Sequence, residues 1–259
     1  MSRLKNLFEH KNNCVLNVYC TAGYPMLEST IPVMAALQEA GVDIIELGIP
    51  YSDPLADGPV IQASGSKALA NGMTISELFR QLTNFRSLIH LPVVLMGYMN
   101  PVLQFGFERF CAEAAKAGID GLILPDLPMH EFETEYSGII SKHQLDFIFL
   151  VTPETSEERI LKLDRLSSGF LYAVSSSSTT GYSKNFSVGE NYLKKLQDLN
   201  LQNPVLVGFG VKDRASFTAA SQYAAGAIIG SAYIQALGDG EAITEKTNVF
   251  IHSIINSDQ

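Results

Sequence analysis

Three carboxylates near the start of the chain have the types and spacing for proton chemistry. Glu46 stands inside the apolar run Ile44-Ile45-Glu46-Leu47-Gly48-Ile49, and Asp53 and Asp57 follow on a stretch broken by Pro50, Pro54, Gly58 and Pro59. The run reads as a strand covered on both faces. Burial disfavours a charged carboxyl, so Glu46 is expected to hold its proton to higher pH than a free glutamate. That suits a group which must take up and release a proton near neutrality. The turn residues then carry the other two acids on the loop after the strand. Taken one at a time, these residues fit equally well a strand-end Glu satisfied by neighbouring backbone and a solvated acidic turn.

Such acids work only on a scaffold that brings them together, and the chain alternates strand and helix signals throughout. An opening segment with Leu4, Leu7 and Phe8 on one face predicts a short helix closing one end of a core. Strands are predicted at 15–19, 44–49, 93–96, 121–124, 147–150, 170–174, 205–207 and 227–229. Helices are predicted at 29–40, through 86 after the acidic loop, and at 107–117, 131–142, 157–166, 192–199 and 213–223, with more after 231. Ala40-Gly41-Val42-Asp43, Ala117-Gly118-Ile119-Asp120 and Ala225-Gly226-Ala227 form a weak repeat, a glycine cap turning straight into a strand. Eight strand-then-helix units with right-handed crossovers close into an α/β fold, a single (β/α)8 TIM barrel over residues 1–259 with an N-terminal capping helix. The alternative is an open doubly wound sheet, but the first strand lacks a dinucleotide glycine fingerprint.

Strand exits of such a barrel share one face. Glu46, Asp57, Tyr98, Asp126, Tyr172, Thr180, Gly208, Gly210 and Ser231 are therefore expected to converge on one mouth. After the seventh and eighth strands, Gly208-Phe209-Gly210 and Gly230-Ser231 suit a phosphate: glycines expose backbone N–H groups, and a following helix points its positive end at an anion. Glycine also merely turns chains, and the reading rests on both pairs standing at the correct exits. The expected ligand is a small phosphorylated molecule with apolar parts, bounded by Tyr19, Ile61, Met96, Ile123, Leu150, Tyr172 and Phe209.

Composition sets the outer limits. A chain of 259 residues with 46% hydrophobic content can bury a large core. Its formal charge of −9 opposes nucleic acid and anionic membrane surfaces. No stretch offers 18 uninterrupted apolar residues and the first ten residues lack an apolar signal core, so a cytoplasmic protein is expected. Cys14, Cys20 and Cys111 are odd in number and widely spaced, forming neither a disulfide framework nor a zinc pattern, and read as reduced, buried packing residues. The five histidines show no metal-ligand spacing, and no metal is expected.

The run from Glu46 to Pro59, Glu-Leu-Gly-Ile-Pro-Tyr-Ser-Asp-Pro-Leu-Ala-Asp-Gly-Pro, resembles the signature of the tryptophan synthase alpha chain family. Leu95-Met96-Gly97-Tyr98-Met99-Asn100-Pro101, Leu124-Pro125-Asp126-Leu127-Pro128, Gly208-Phe209-Gly210 and Gly230-Ser231 agree in order and spacing over nearly the whole chain. The resemblance implies cleavage of indole-3-glycerol phosphate to indole and glyceraldehyde 3-phosphate, without a cofactor. It also implies a beta chain partner that receives the indole, in an alpha2beta2 heterotetramer. Glu46 would then be the general acid and base, Asp57 would pair with the indole N–H, and Asp53 and Pro54 would face the partner. In the loop after strand six, Ser175-Ser176-Ser177-Ser178-Thr179-Thr180-Gly181 departs from the family pattern Ser-Arg-x-Gly-Val-Thr-Gly by lacking the Arg and the first Gly. Thr180 and Gly181 keep their places, and a contact from Thr180 to Asp57 is implied. Tyr19 stands where the family commonly has phenylalanine, adding a hydroxyl.

Two rivals stay open at this stage. One is another phosphate-binding barrel lyase or isomerase acting on a different aryl-glycerol phosphate. The other is a catalytically silent barrel that only activates a partner, which has no need for a carboxylate on an apolar strand.

Overall fold

The computed structural model describes residues 2–174, 186–208 and 210–255. Within them a short helix, Arg3–His10, precedes nine parallel strands. The strands are β1 (Val15–Thr21), β2 (Ile44–Gly48), β3 (Val93–Met96), β4 (Gly121–Ile123), β5 (Asp146–Phe147), β6 (Leu150–Val151), β7 (Leu171–Val174), β8 (Val205–Gly208) and β9 (Gly226–Ile229). Their order is β5-β4-β3-β2-β1-β9-β8-β7-β6. The two ends of that order belong to one extended stretch. Ile148 N–H donates to Leu122 O at 3.0 Å on one side, and Tyr172 N–H donates to Phe149 O at 3.0 Å on the other. The predicted fifth strand is thus two short pieces that complete the ring, the doubly wound alternative falls, and the fold is the TIM barrel.

Inside and outside of the ring follow from the alternation of side chains along each strand. Inward-facing Val15, Tyr19, Ile44, Val94, Met96, Ile123, Ile148, Phe170, Tyr172, Leu206 and Ile228 form one buried cluster. Outward-facing residues such as Leu16, Val18, Ile45, Leu47 and Leu95 join the larger cluster beneath the helices. The opening helix plugs the inner cluster from below. Leu4 is fully buried in it, Leu7 and Phe8 pack on it, and the Phe8 and Phe170 rings lie 6.3 Å apart. Its start is capped by Ser2, whose Oγ accepts the Lys5 N–H at 3.2 Å.

Most helices stand where their periodicity puts them, among them Thr30–Glu39, Phe107–Ala117 and Glu157–Leu166. Predicted segment 131–142 instead begins at Met129 and carries a π-helical stretch, Phe132–Tyr136. An additional helix, Met99–Phe105, follows β3 directly. Its Pro101 lies in the first turn, where backbone N–H groups have no intrahelical partner to lose. Of the repeated glycines, Gly41 and Gly118 turn left-handed after their helices, whereas Gly226 lies within β9. Cys20 and Cys111 are buried, but Cys14 is exposed, on a left-handed residue just ahead of β1. No helix among the described residues is long and apolar enough to cross a membrane.

Candidate active site

Glu46 faces the barrel interior from β2, in register with Tyr19 of β1 and Val94 of β3. Only 1% of it is exposed. Asn17 Nδ2 donates to its Oε2 at 3.0 Å. Burial is the largest influence on the carboxyl and pushes its pKa up to about 8, the Asn17 hydrogen bond drawing it down and the nearby Asp57 pushing it up. Its proton therefore exchanges near neutrality, as the apolar run led us to expect.

Asp57 is half-buried on the loop after β2. Burial raises its pKa, and a hydrogen bond from Tyr98 partly offsets that rise. Tyr98 is itself fixed from several sides. Its hydroxyl accepts the Ala56 N–H at 3.1 Å, and its ring packs 5.5 Å from that of Tyr51. The Tyr51 hydroxyl in turn accepts from Asn100 Nδ2 at 2.9 Å. Asp126 acts behind this pair, both carboxylate oxygens accepting the Met99 N–H at 3.0 Å and so holding the start of the helix that follows Tyr98.

A cavity with about 520 Å³ of empty space, part of it open to solvent, joins these groups. Tyr19, Glu46, Asp57, Ile61, Met96, Tyr172, Gly210, Gly230 and Ser231 line it, all of them expected at the site. Val211 and Ile228 complete the wall. Alternation within the predicted eighth strand could have picked out Ile228; nothing in sequence marks Val211. Tyr19 and Tyr172 stay neutral phenols, since burial raises both pKa values far above the ordinary and the neighbouring carboxyls raise them further.

Other expected residues stand behind the wall or away from it. Ile123 is buried in the inner cluster, and Leu150 lines a neighbouring hollow with Leu124, Phe149 and Arg159. Gly208 lies under the Tyr172 ring, which a Cβ at this position would overlap; Gly48 makes the same room for the Tyr19 ring. Thr180, Gly181 and Phe209 lie outside the described residues. Asp53 is exposed on the acidic loop, Pro54 is half-buried, and Leu55 beside them is 92% exposed. Among the described residues no group of three or more His, Cys, Asp or Glu could hold a metal ion.

Asn17 is a polar neighbour that no sequence pattern singles out. Its partner emerges only from the register of β1 against β2.

Comparison with known proteins gives one consistent result. The family model described as tryptophan synthase alpha chain matches residues 4–257. The tryptophan synthase alpha chain of Parabacteroides distasonis is 49% identical over 255 residues, covering 98% of this chain and 99% of the relative. That of Flavobacterium johnsoniae is 50% identical over 226 residues, 87% of this chain and 89% of the relative. Among solved structures, the tryptophan synthase subunit alpha from Legionella pneumophila superposes with a TM-score of 0.88 at 34% identity, covering 98% of this chain and 97% of that one. By sequence over almost its whole length and by fold, the chain belongs to the tryptophan synthase alpha chain family.

Proposed function

We propose that Glu46 and Asp57 divide the proton chemistry by which this chain, a lyase of tryptophan biosynthesis, cleaves indole-3-glycerol phosphate to indole and glyceraldehyde 3-phosphate. Protonated Glu46 gives its proton to the ring carbon that bears the glycerol side chain, leaving a cationic indolenine. The ionised Asp57 pairs with the ring N–H as positive charge develops there. Glu46, now a carboxylate, takes the proton of the side-chain hydroxyl. The carbon–carbon bond then breaks, its electrons returning to the ring and the hydroxyl carbon becoming the aldehyde. Glu46 ends protonated as it began, now carrying the proton of the hydroxyl, so no other acid or base is consumed. The observation that carries this reading is a buried carboxyl exchanging its proton at about pH 8 on the wall of the cavity that Asp57 also lines.

Gly210, Gly230 and Ser231 on the same wall are the residues we assign to the phosphate. On family resemblance we further assign Thr180 as a contact of Asp57, and Gly181, Phe209, Ile123 and Leu150 as substrate contacts. Asp53 and Pro54, with the exposed Leu55 next to them, are assigned to contact with a beta chain in an alpha2beta2 assembly. The activity is assigned to one barrel domain acting in the cytoplasm.

Indole release by purified Glu46→Gln, alone and with a beta chain, tests the central assignment. Turnover should fall about 10²-fold or more with ligand affinity nearly unchanged. Retained turnover removes Glu46 from the mechanism.

A further inference from the structure

We infer that Asn17 is the positioning residue for Glu46, a partner that can hold the carboxyl in both of its protonation states. The inference rests on the reading of Glu46 as proton carrier and deepens it. Asn17 lies two residues before Tyr19 on the inward face of β1, fully buried. Its Nδ2 donates to Glu46 Oε2 at 3.0 Å, and its Oδ1 has no hydrogen-bond partner among the described residues. An inward position here otherwise takes a hydrophobic side chain, as at Val15, Ile44 and Ile228. A polar group with one unpartnered oxygen is a poor choice for packing.

It is a good choice for serving a group that gains and loses a proton. A carboxamide carries two donors and one acceptor on a single planar group. Toward the carboxylate, Nδ2 donates. Toward the protonated acid, a half-turn of the amide presents Oδ1 to the acid O–H. Arginine or lysine at this place would favour only the ionised form, and an aliphatic side chain only the neutral one. The other titratable groups within electrostatic reach of Glu46 are Tyr19 and Cys20 of β1, Asp57 of the loop after β2, and Tyr172 of β7. All four are acids, whose ionised forms would oppose its charge. Among these described neighbours the Asn17 amide is the group that favours the carboxylate.

The test reads Glu46 directly. The chain is labelled with glutamate carrying carbon-13 in the side-chain carboxyl, the Glu46 signal is assigned by its loss in Glu46→Gln, and its titration is followed in the parent, Asn17→Leu and Asn17→Ser. Leucine keeps the branched shape of asparagine, with four side-chain heavy atoms and no polar one, and serine leaves room and polarity but cannot span the gap. Because the bond to the charged carboxylate is the stronger of the two, the titration midpoint in either variant should move upward, by up to about one pH unit. The kcat for indole release should fall about tenfold with KM within about twofold, the pattern of a lost transition-state contribution. An unmoved midpoint in whichever variant folds overturns the inference. Because the titration does not depend on turnover, activity retained by Glu46→Gln would sink the proposed mechanism while leaving the Asn17–Glu46 coupling measured on its own terms.

Discussion

The hydroxyl of Tyr98 joins two parts of the acidic loop, accepting the Ala56 N–H at 3.1 Å and hydrogen-bonding the carboxylate of Asp57, the next residue. The bond lowers a pKa that burial raises, so it helps keep Asp57 ionised where the indole cation would form. In Tyr98→Phe the pKa of Asp57 should rise further. The acid limb of the kcat profile should move to higher pH, with a loss of about tenfold below it that shrinks as pH rises. Unchanged position of that limb would mean Tyr98 does not act through Asp57.

At the opposite end of the barrel from Glu46 and Asp57, Asp120 gathers a cluster of charges. Its carboxylate accepts from Arg3 Nη1 at 3.0 Å, from the Val93 N–H at 2.8 Å and from Arg86 Nη2. It thereby ties the plugging helix to the bottom of β3 and β4. Asp120→Ala strips a partner from two arginines and a strand N–H and should destabilise by about 3–5 kcal/mol. Denaturant unfolding measures the loss. At a temperature where both proteins are folded, kcat should stay within about twofold, since Glu46 and Asp57 are untouched; a much larger drop would tie the barrel bottom to the chemistry.

How far the sequence reveals this site depends on whether a residue's surroundings are local. Glu46 stands out because its own neighbours in the chain are apolar, and Gly210 and Gly230 because they follow strand signals. Asn17 does not, since one polar residue in an apolar strand has no pattern and its partner lies 29 positions away. The division of the fifth strand is equally hidden: Phe147-Ile148-Phe149-Leu150 is an unbroken apolar run, and only pairing with β4 on one side and β7 on the other splits it. The helix Met99–Phe105 was obscured by Pro101, which reads as a breaker unless it is known to sit in a first turn.

Gly208 and Gly230 look alike in sequence and should respond differently. A Cβ at Gly208 overlaps the Tyr172 ring, whereas one at Gly230 comes no nearer than 3.4 Å to Ile61 Cδ1 and Tyr19 Cβ, ordinary contact. Gly208→Ala should displace Tyr172 and destabilise by about 1–3 kcal/mol, the usual effect of overpacking. Gly230→Asp should keep the fold but weaken glycerol 3-phosphate binding by about tenfold or more, by placing a negative charge on the wall assigned to the phosphate. Melting and ligand titration on both variants separate the roles. Parent-like phosphate affinity in Gly230→Asp would put the anion elsewhere.

The property on which the role proposed for Glu46 rests should also weaken the fold. An ordinary glutamate loses its proton near pH 4.5, but burial holds this one to about pH 8. Between those values the native chain keeps a proton that the unfolded chain has released, so the native state binds more protons and stability falls as pH rises across that window. Below it both states are protonated and nothing is lost; above it the full penalty applies, on the order of 5 kcal/mol. Glutamine has the same shape, is neutral at every pH, and can still accept from Asn17. Glu46→Gln should therefore match the parent near pH 4 and become progressively more stable than it from pH 5 to 8, holding a lead of several kcal/mol at pH 9. Denaturant unfolding of both proteins at each pH measures the difference, and a lead that does not grow with pH would show that Glu46 ionises in the native chain as it does in the unfolded one.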